Sequence, residues 1–238
     1  MSDGVPARLD EVRARISTAC RKAGRSEDSV RLIAVSKTFP AELILEAYNA
    51  GQLVFGESRQ QEAQPKVDVL PDDIHWHFIG RVQRNKVRKI LGSFGVIHAI
   101  DSLKLAQYTA SVSQDLDVVP EVFLQVNVAA EESKGGFEPG VLESEMEQIL
   151  AIQGVKIHGL MTVPPATSVL EDGRKWFTKL REFRDLLESK FGAQLPNLSM
   201  GMSGDYELAI EEGATHVRVG SAIFGGRSYQ VEGELGAR

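Results

Sequence analysis

Apolar residues return every three or four positions over 6–20, where Leu9, Val12, Ile16 and Ala19 fall on one side of a helix that Gly24 would end. Beyond residue 30 the pattern changes: short runs rich in Val, Ile and Phe alternate with stretches of helical periodicity. The runs predict strands over 31–37, 53–56, 74–80, 96–100, 121–128, 155–162, 198–201 and 216–220. Between them, helices are predicted over 41–50, 58–69, 83–91, 103–114, 141–152, 174–191 and 205–212. The clearest is 174–191, where Trp176, Leu180, Phe183, Leu187 and Phe191 form one stripe, as expected of a helix that covers a sheet.

Eight strands separated by helices specify a parallel sheet. An open doubly wound sheet and a closed barrel both satisfy that order. Eight strands in 238 residues favour the barrel: an α/β chain, a single (β/α)8 TIM-type barrel with an extra N-terminal helix. No Gly-x-Gly-x-x-Gly follows the first strand, which argues against dinucleotide binding. The Pro164-Pro165 run reads as a loop, and no repeat or long linker divides the chain.

Composition changes this picture little. Hydrophobic residues make up 42% and charged residues 25%, so a large core needs no staple. A net charge of −6 argues against general nucleic-acid binding. The single cysteine, Cys20, excludes an intrachain disulfide and fits a reducing compartment. The opening Met-Ser-Asp-Gly-Val-Pro is not a signal peptide, and no apolar run approaches the roughly 20 residues of a membrane span. A soluble, cytoplasmic protein without a membrane partner is expected.

Chemistry in such a barrel gathers at the C-terminal ends of the strands. The first strand ends in Lys37, an ammonium group after a buried run, placed either to snorkel outward or to act as a nucleophile. The seventh gives Ser199 through Gly204 and the eighth Arg218-Val-Gly-Ser221. Loops after strands seven and eight of these barrels often hold a phosphate. Ser203 and Ser221 supply hydroxyls, and Gly220-Ser221 allows close backbone approach to an anion. The competing reading is that both serines only cap helices, Ser203 the one beginning at Asp205. A lysine beside a phosphate cradle suits an aldehyde that carries a phosphate. A Schiff-base aldolase and a pyridoxal phosphate (PLP) site both satisfy this.

Seven ordered blocks bear on the choice. They are Ala34-Val-Ser-Lys37, Phe55-Gly-Glu57, His75-Trp-His-Phe-Ile-Gly80, Glu131-Glu-Ser-Lys-Gly135, Gly159-Leu-Met-Thr162, Leu198-Ser-Met-Gly-Met-Ser203 and Val217-Arg-Val-Gly-Ser-Ala-Ile-Phe-Gly225. With them the chain closely resembles the PLP homeostasis protein family over about 31–226. The resemblance implies one PLP-binding barrel over 1–238 with a polar tail at about 228–238, similar to the N-terminal domain of alanine racemase. It implies PLP bound as an internal aldimine (a Schiff base) to Lys37, and intracellular buffering or delivery of vitamin B6 without established turnover. Arg218 would face the pyridine nitrogen; Ser203, Gly220 and Ser221 would hold the phosphate, with Ser199 a weaker candidate for that role. Many family members have asparagine after Phe-Gly-Glu where this chain has Ser58.

Partners expected on this reading are PLP and apo PLP-dependent enzymes, with the chain a monomer or weak homodimer. The alternative is a racemase of low activity. Arg218, a permanent donor, would weaken the ring as an electron sink. Only 13 residues follow Gly225, so the racemases' second domain and its opposing tyrosine are expected to be absent. A third class is an interaction module built on the basic run 81–89, otherwise a solvated helix face. His75 and His77 share a strand face but lack a third ligand, so no metal is expected, and His77 is read as a hydrogen-bonded residue near the mouth. Lys134 is a rival amine, and Met161, Met200 and Met202 are packing residues around the site.

Overall fold

A computed structural model describes residues 4–131, 135–165, 169 and 171–226. Eight parallel strands close into a barrel in sequence order. They are β1 (Arg31–Val35), β2 (Val54–Glu57), β3 (His75–Phe78), β4 (Val96–Ile100), β5 (Glu121–Gln125), β6 (Lys156–Met161), β7 (Asn197–Met202) and β8 (His216–Val219). Closure comes from β8 pairing back onto β1, with Arg31 opposite His216 and Ile33 opposite Arg218. The doubly wound alternative is thereby excluded.

Helix α1 (Val5–Lys22) precedes the barrel. The crossovers carry α2 (Ala41–Asn49), α3 (Gln60–Val67), α4 (Val87–Leu91), α5 (Leu103–Asp115), α6 (Pro139–Leu150), α7 (Glu171–Phe191) and α8 (Tyr206–Glu211), and α9 (Ser221–Phe224) follows β8. The periodic stripe of α1 is buried as expected, against α2, α8 and α9. Its Arg8 Nε donates to Ile223 O at 2.6 Å and its Arg15 pairs with Glu207 at 2.7 Å. The extra helix thus supports the elements that follow β7 and β8. Among the described residues no helix is long and apolar enough to cross a membrane.

Two expectations shift. β1 stops at Val35, not at residue 37, because a turn follows at 36–39, where the Phe39 N–H donates to the Ser36 carbonyl at 3.1 Å and Thr38 takes a left-handed φ of 69°. On α7 the predicted stripe holds for Leu180 and Leu187, which are buried, and for Phe183 and Phe191, which pack against the core, but at its N-terminal end Gly173 and Phe177 take the buried face in place of Trp176. Trp176 lies at its margin, half-buried, with the Lys175 and Lys179 ammonium groups 5.0 and 4.7 Å from its ring. Its indole keeps two cations in water, so the apolar count there overstated burial.

The layer between strands and helices is mostly apolar, with the Glu57–Lys66 pair as an exception, whereas the lumen is largely polar. Ile33 and Phe123 share it with His77, His98, His216, Ser199 and Arg218, all buried. Burying so many polar groups costs energy unless they bond each other.

Candidate functional site

A cavity of about 360 Å³ lies at the C-terminal ends of the strands. Lys37 from the turn after β1, Arg218 from β8, and Ser203, Gly220 and Ser221 from the last two loops line it. Val35, Phe39, Ile79, Val163 and Met202 supply its apolar wall.

Lys37, in the turn after β1, lines the cavity, while Ser36 before it points away from the cavity. Ser36 is fully buried and its Oγ donates to Glu57 Oε1 at 2.8 Å. Lys66 Nζ donates to the same carboxylate oxygen at 2.8 Å and to the Ser36 carbonyl at 3.1 Å. Burial pushes the Glu57 carboxyl up, and the Lys66 ammonium and Ser36 hydroxyl pull it back. On the other flank, the Thr38 N–H donates to Glu62, which lies 3.5 Å from Lys66. Both neighbours of Lys37 are therefore tied to one buried ion pair.

Arg218 is buried in the lumen and still reaches the cavity wall. One terminal nitrogen donates to Ser199 Oγ at 2.6 Å, the other to the Thr162 carbonyl at 2.9 Å. No carboxylate pairs with it among the described residues; Asp205 acts only at a distance. Burial brings the guanidinium down to about 10, which leaves it charged at neutral pH. A buried cation with donors to spare favours an acceptor in the cavity.

The hydrogen-bond chain continues behind it. Ser199 Oγ lies 2.9 Å from His98 Nδ1, and His98 Nε2 lies 2.9 Å from His77 Nδ1. Arginine only donates, so the Ser199 hydroxyl proton goes to His98 Nδ1, the acceptor within reach. His98 then carries its proton on Nε2 and gives it to His77. That direction requires neutral imidazoles. Burial lowers His98 well below its ordinary range and His77 to about 3. The ring of His98 also stacks 4.4 Å from Phe123.

Ser203 does not cap α8. Its Oγ accepts the Gly220 N–H at 3.1 Å, joining the β7 and β8 loops. Asp205 takes the turn instead, its Oδ1 accepting the Met202 N–H at 2.6 Å. Gly201, at φ +91°, lets β7 meet α8, since a Cβ there would lie 2.6 Å from that of Ala209.

The structure thus brings together Lys37, Ser203, Arg218, Gly220 and Ser221, five of the six residues singled out for the cofactor. Ser199 lies beneath Arg218 and off the cavity wall. His75 is exposed at the start of β3 while His77 sits in the lumen. Met161 and Met200 are buried, and only Met202 lines the cavity. Lys134 and the tail from 228 lie outside the described residues. Sequence reasoning missed the Glu57–Lys66 pair and His98. The Phe55-Gly-Glu57 block was the available signal for the first; an isolated histidine in a strand gave none for the second.

Comparison with known proteins agrees with this geometry. The family model for the N-terminal domain of alanine racemase matches residues 7–228. A pyridoxal phosphate homeostasis protein of Aquifex aeolicus is 48% identical over 223 residues, covering 93% of this chain and 98% of that one. The structure of PipY of Synechococcus elongatus without PLP superposes with a TM-score of 0.85 at 39% identity, covering 93% of this chain and 100% of PipY. PipY with PLP bound gives a TM-score of 0.82 at 38% identity over the same shares.

Proposed function

Since the chain belongs to the alanine racemase N-terminal domain family, and within it to the pyridoxal phosphate homeostasis proteins, we propose that it holds pyridoxal 5'-phosphate and buffers or delivers it. A cavity of about 360 Å³ falls in the range of small-ligand sites. When bound, PLP supplies an aldehyde that an amine captures with loss of water, and a pyridine ring that draws electrons. Lys37 is the amine assigned to the aldehyde. Arg218 donates to the pyridine nitrogen, and Ser203, Gly220 and Ser221 hold the phosphate. Ser199 acts through Arg218, as a positioning residue.

The observation that carries this reading is that Lys37 and Arg218 share one cavity and are the only charged side chains among its described lining residues. Arg218 stays protonated at neutral pH, so it offers the ring nitrogen a hydrogen bond and no proton. Racemisation needs an acid/base group on each face of the substrate carbon, and no second one lines the cavity beside Lys37 among the described residues. The first point only weakens the ring as an electron sink; the second favours a carrier over the alternative, a racemase of low activity. With the carrier reading go a cytoplasmic location, apo PLP-dependent enzymes as recipients, a monomer or weak homodimer, and no nucleic-acid or membrane partner.

The test is to load purified protein with PLP, remove excess, and add an apo-enzyme. Visible absorption that develops on loading, is lost in Lys37→Ala and leaves with the PLP that reactivates the apo-enzyme is the expected result. Loading without transfer, together with alanine racemisation that Lys37→Ala abolishes, would overturn the carrier reading in favour of the racemase.

A further inference from the structure

The basic run 81–89 divides between two fates. Arg84 places its guanidinium 4.5 Å from the Tyr108 ring, and Arg88 pairs with Asp115 at 2.8 Å. Arg81 and Lys86 instead line a cavity of about 570 Å³, and Arg59, from the turn ahead of α3, joins them. This cavity shares no lining residue with the one at Lys37.

None of these three cations has an ion pair or a side-chain hydrogen bond among the described residues. The one carboxylate on the wall, Glu62, is already engaged by the Thr38 N–H and lies 3.5 Å from Lys66. The wall therefore carries three positive charges that its own residues do not balance. Like charges gathered in a concavity raise the local potential, and an anion placed among them relieves it. Ser58, Gln60, Gln61 and Gln83 add polar groups, while Phe78 and Ile90 form the floor. The two loops meet because residue 80 is glycine: a Cβ there would lie 2.1 Å from the Ser58 carbonyl oxygen.

We propose that this cavity is a second anion site, taking a phosphate group, free or as a monoester, among Arg59, Arg81 and Lys86. Guanidinium forks match phosphate oxygens in pairs and the ammonium adds a point charge. The proposal stands apart from the PLP reading, since it uses other residues and another cavity.

The experiment titrates the full chain with sodium phosphate and, separately, with phenyl phosphate, following backbone amide resonances against sodium chloride of matched ionic strength. Saturable shifts at 59–62 and 81–86 are expected. Affinity should fall by about tenfold or more in Arg59→Gln/Arg81→Gln, each change removing a charge-assisted contact, and hold in Arg84→Gln. Tighter binding of phenyl phosphate identifies monoesters as the source, whereas equal affinity means the phosphate group alone is read. Shifts matched by chloride, undiminished in the double variant, or confined to 203–221 would overturn the proposal.

Discussion

Arg218 donates to Ser199 Oγ at 2.6 Å, so a side chain off the cavity wall fixes one that lines it. The relation explains how a serine at a strand end can matter without touching a ligand.

Ser199→Ala removes the acceptor for Arg218 and the donor for His98 Nδ1 in one step. Both partners are buried, so a loss of about 2 kcal/mol is expected in urea denaturation of the PLP-free protein. PLP retention should fall by about tenfold as the guanidinium loses its aim. Unchanged denaturation and retention would remove Ser199 from the support of the site.

The lumen histidines make stability depend on pH. His77, His98 and His216 are all held below the ordinary range by burial, His77 at about 3. From about pH 6.5 downward the unfolded chain takes up protons that the folded chain refuses. Stability is then complete above that pH and is lost as pH falls toward the folded values. Each such histidine contributes a slope of up to about 1.4 kcal/mol per pH unit. His98→Phe, which keeps the stack on Phe123, should lower the wild-type slope by that amount between about pH 6 and 4, whatever its effect at pH 8. Parallel stability curves for the two proteins would contradict the neutral relay.

Lys66→Met should cost about 3 kcal/mol, since it strands Glu57, fully buried, without its cation. Glu57→Leu/Lys66→Met should recover much of that stability. PLP retention should stay low in both, because the Ser36 carbonyl loses the Lys66 bond in each and the Ser36 hydroxyl also loses Glu57 in the double variant. Full retention in the double variant would show that Lys37 needs no such support.

The strands were legible because their helix-facing positions carry Val, Ile, Leu and Phe in short stretches, even though the lumen-facing positions include His77, His98, Ser199, His216 and Arg218. Closure followed from the count of eight strands in this length, but its register did not: the pairing of Ile33 with Arg218 joins residues far apart in sequence, and no local pattern encodes it. Ser203 followed by an acidic residue looked like a helix cap. In the fold Asp205 takes the nearer N–H and Ser203 is drawn across to Gly220, a loop met only after the chain has circled the barrel. Ser199 was visible only as a weaker phosphate candidate, and its partner His98 lies 101 residues away, so its task could be read only from the assembled lumen. The basic run 81–89 had the look of one solvated face; Tyr108, Asp115 and Arg59, brought in by other elements, split it.

The most direct test is chemical. Protein loaded with PLP is reduced with borohydride, digested and analysed by peptide mass. The pyridoxyl mass is predicted on the side chain of Lys37 and is absent from Lys37→Ala treated alike. Its appearance on Lys66 or Lys134 instead, or on no lysine at saturating PLP, would contradict the assignment.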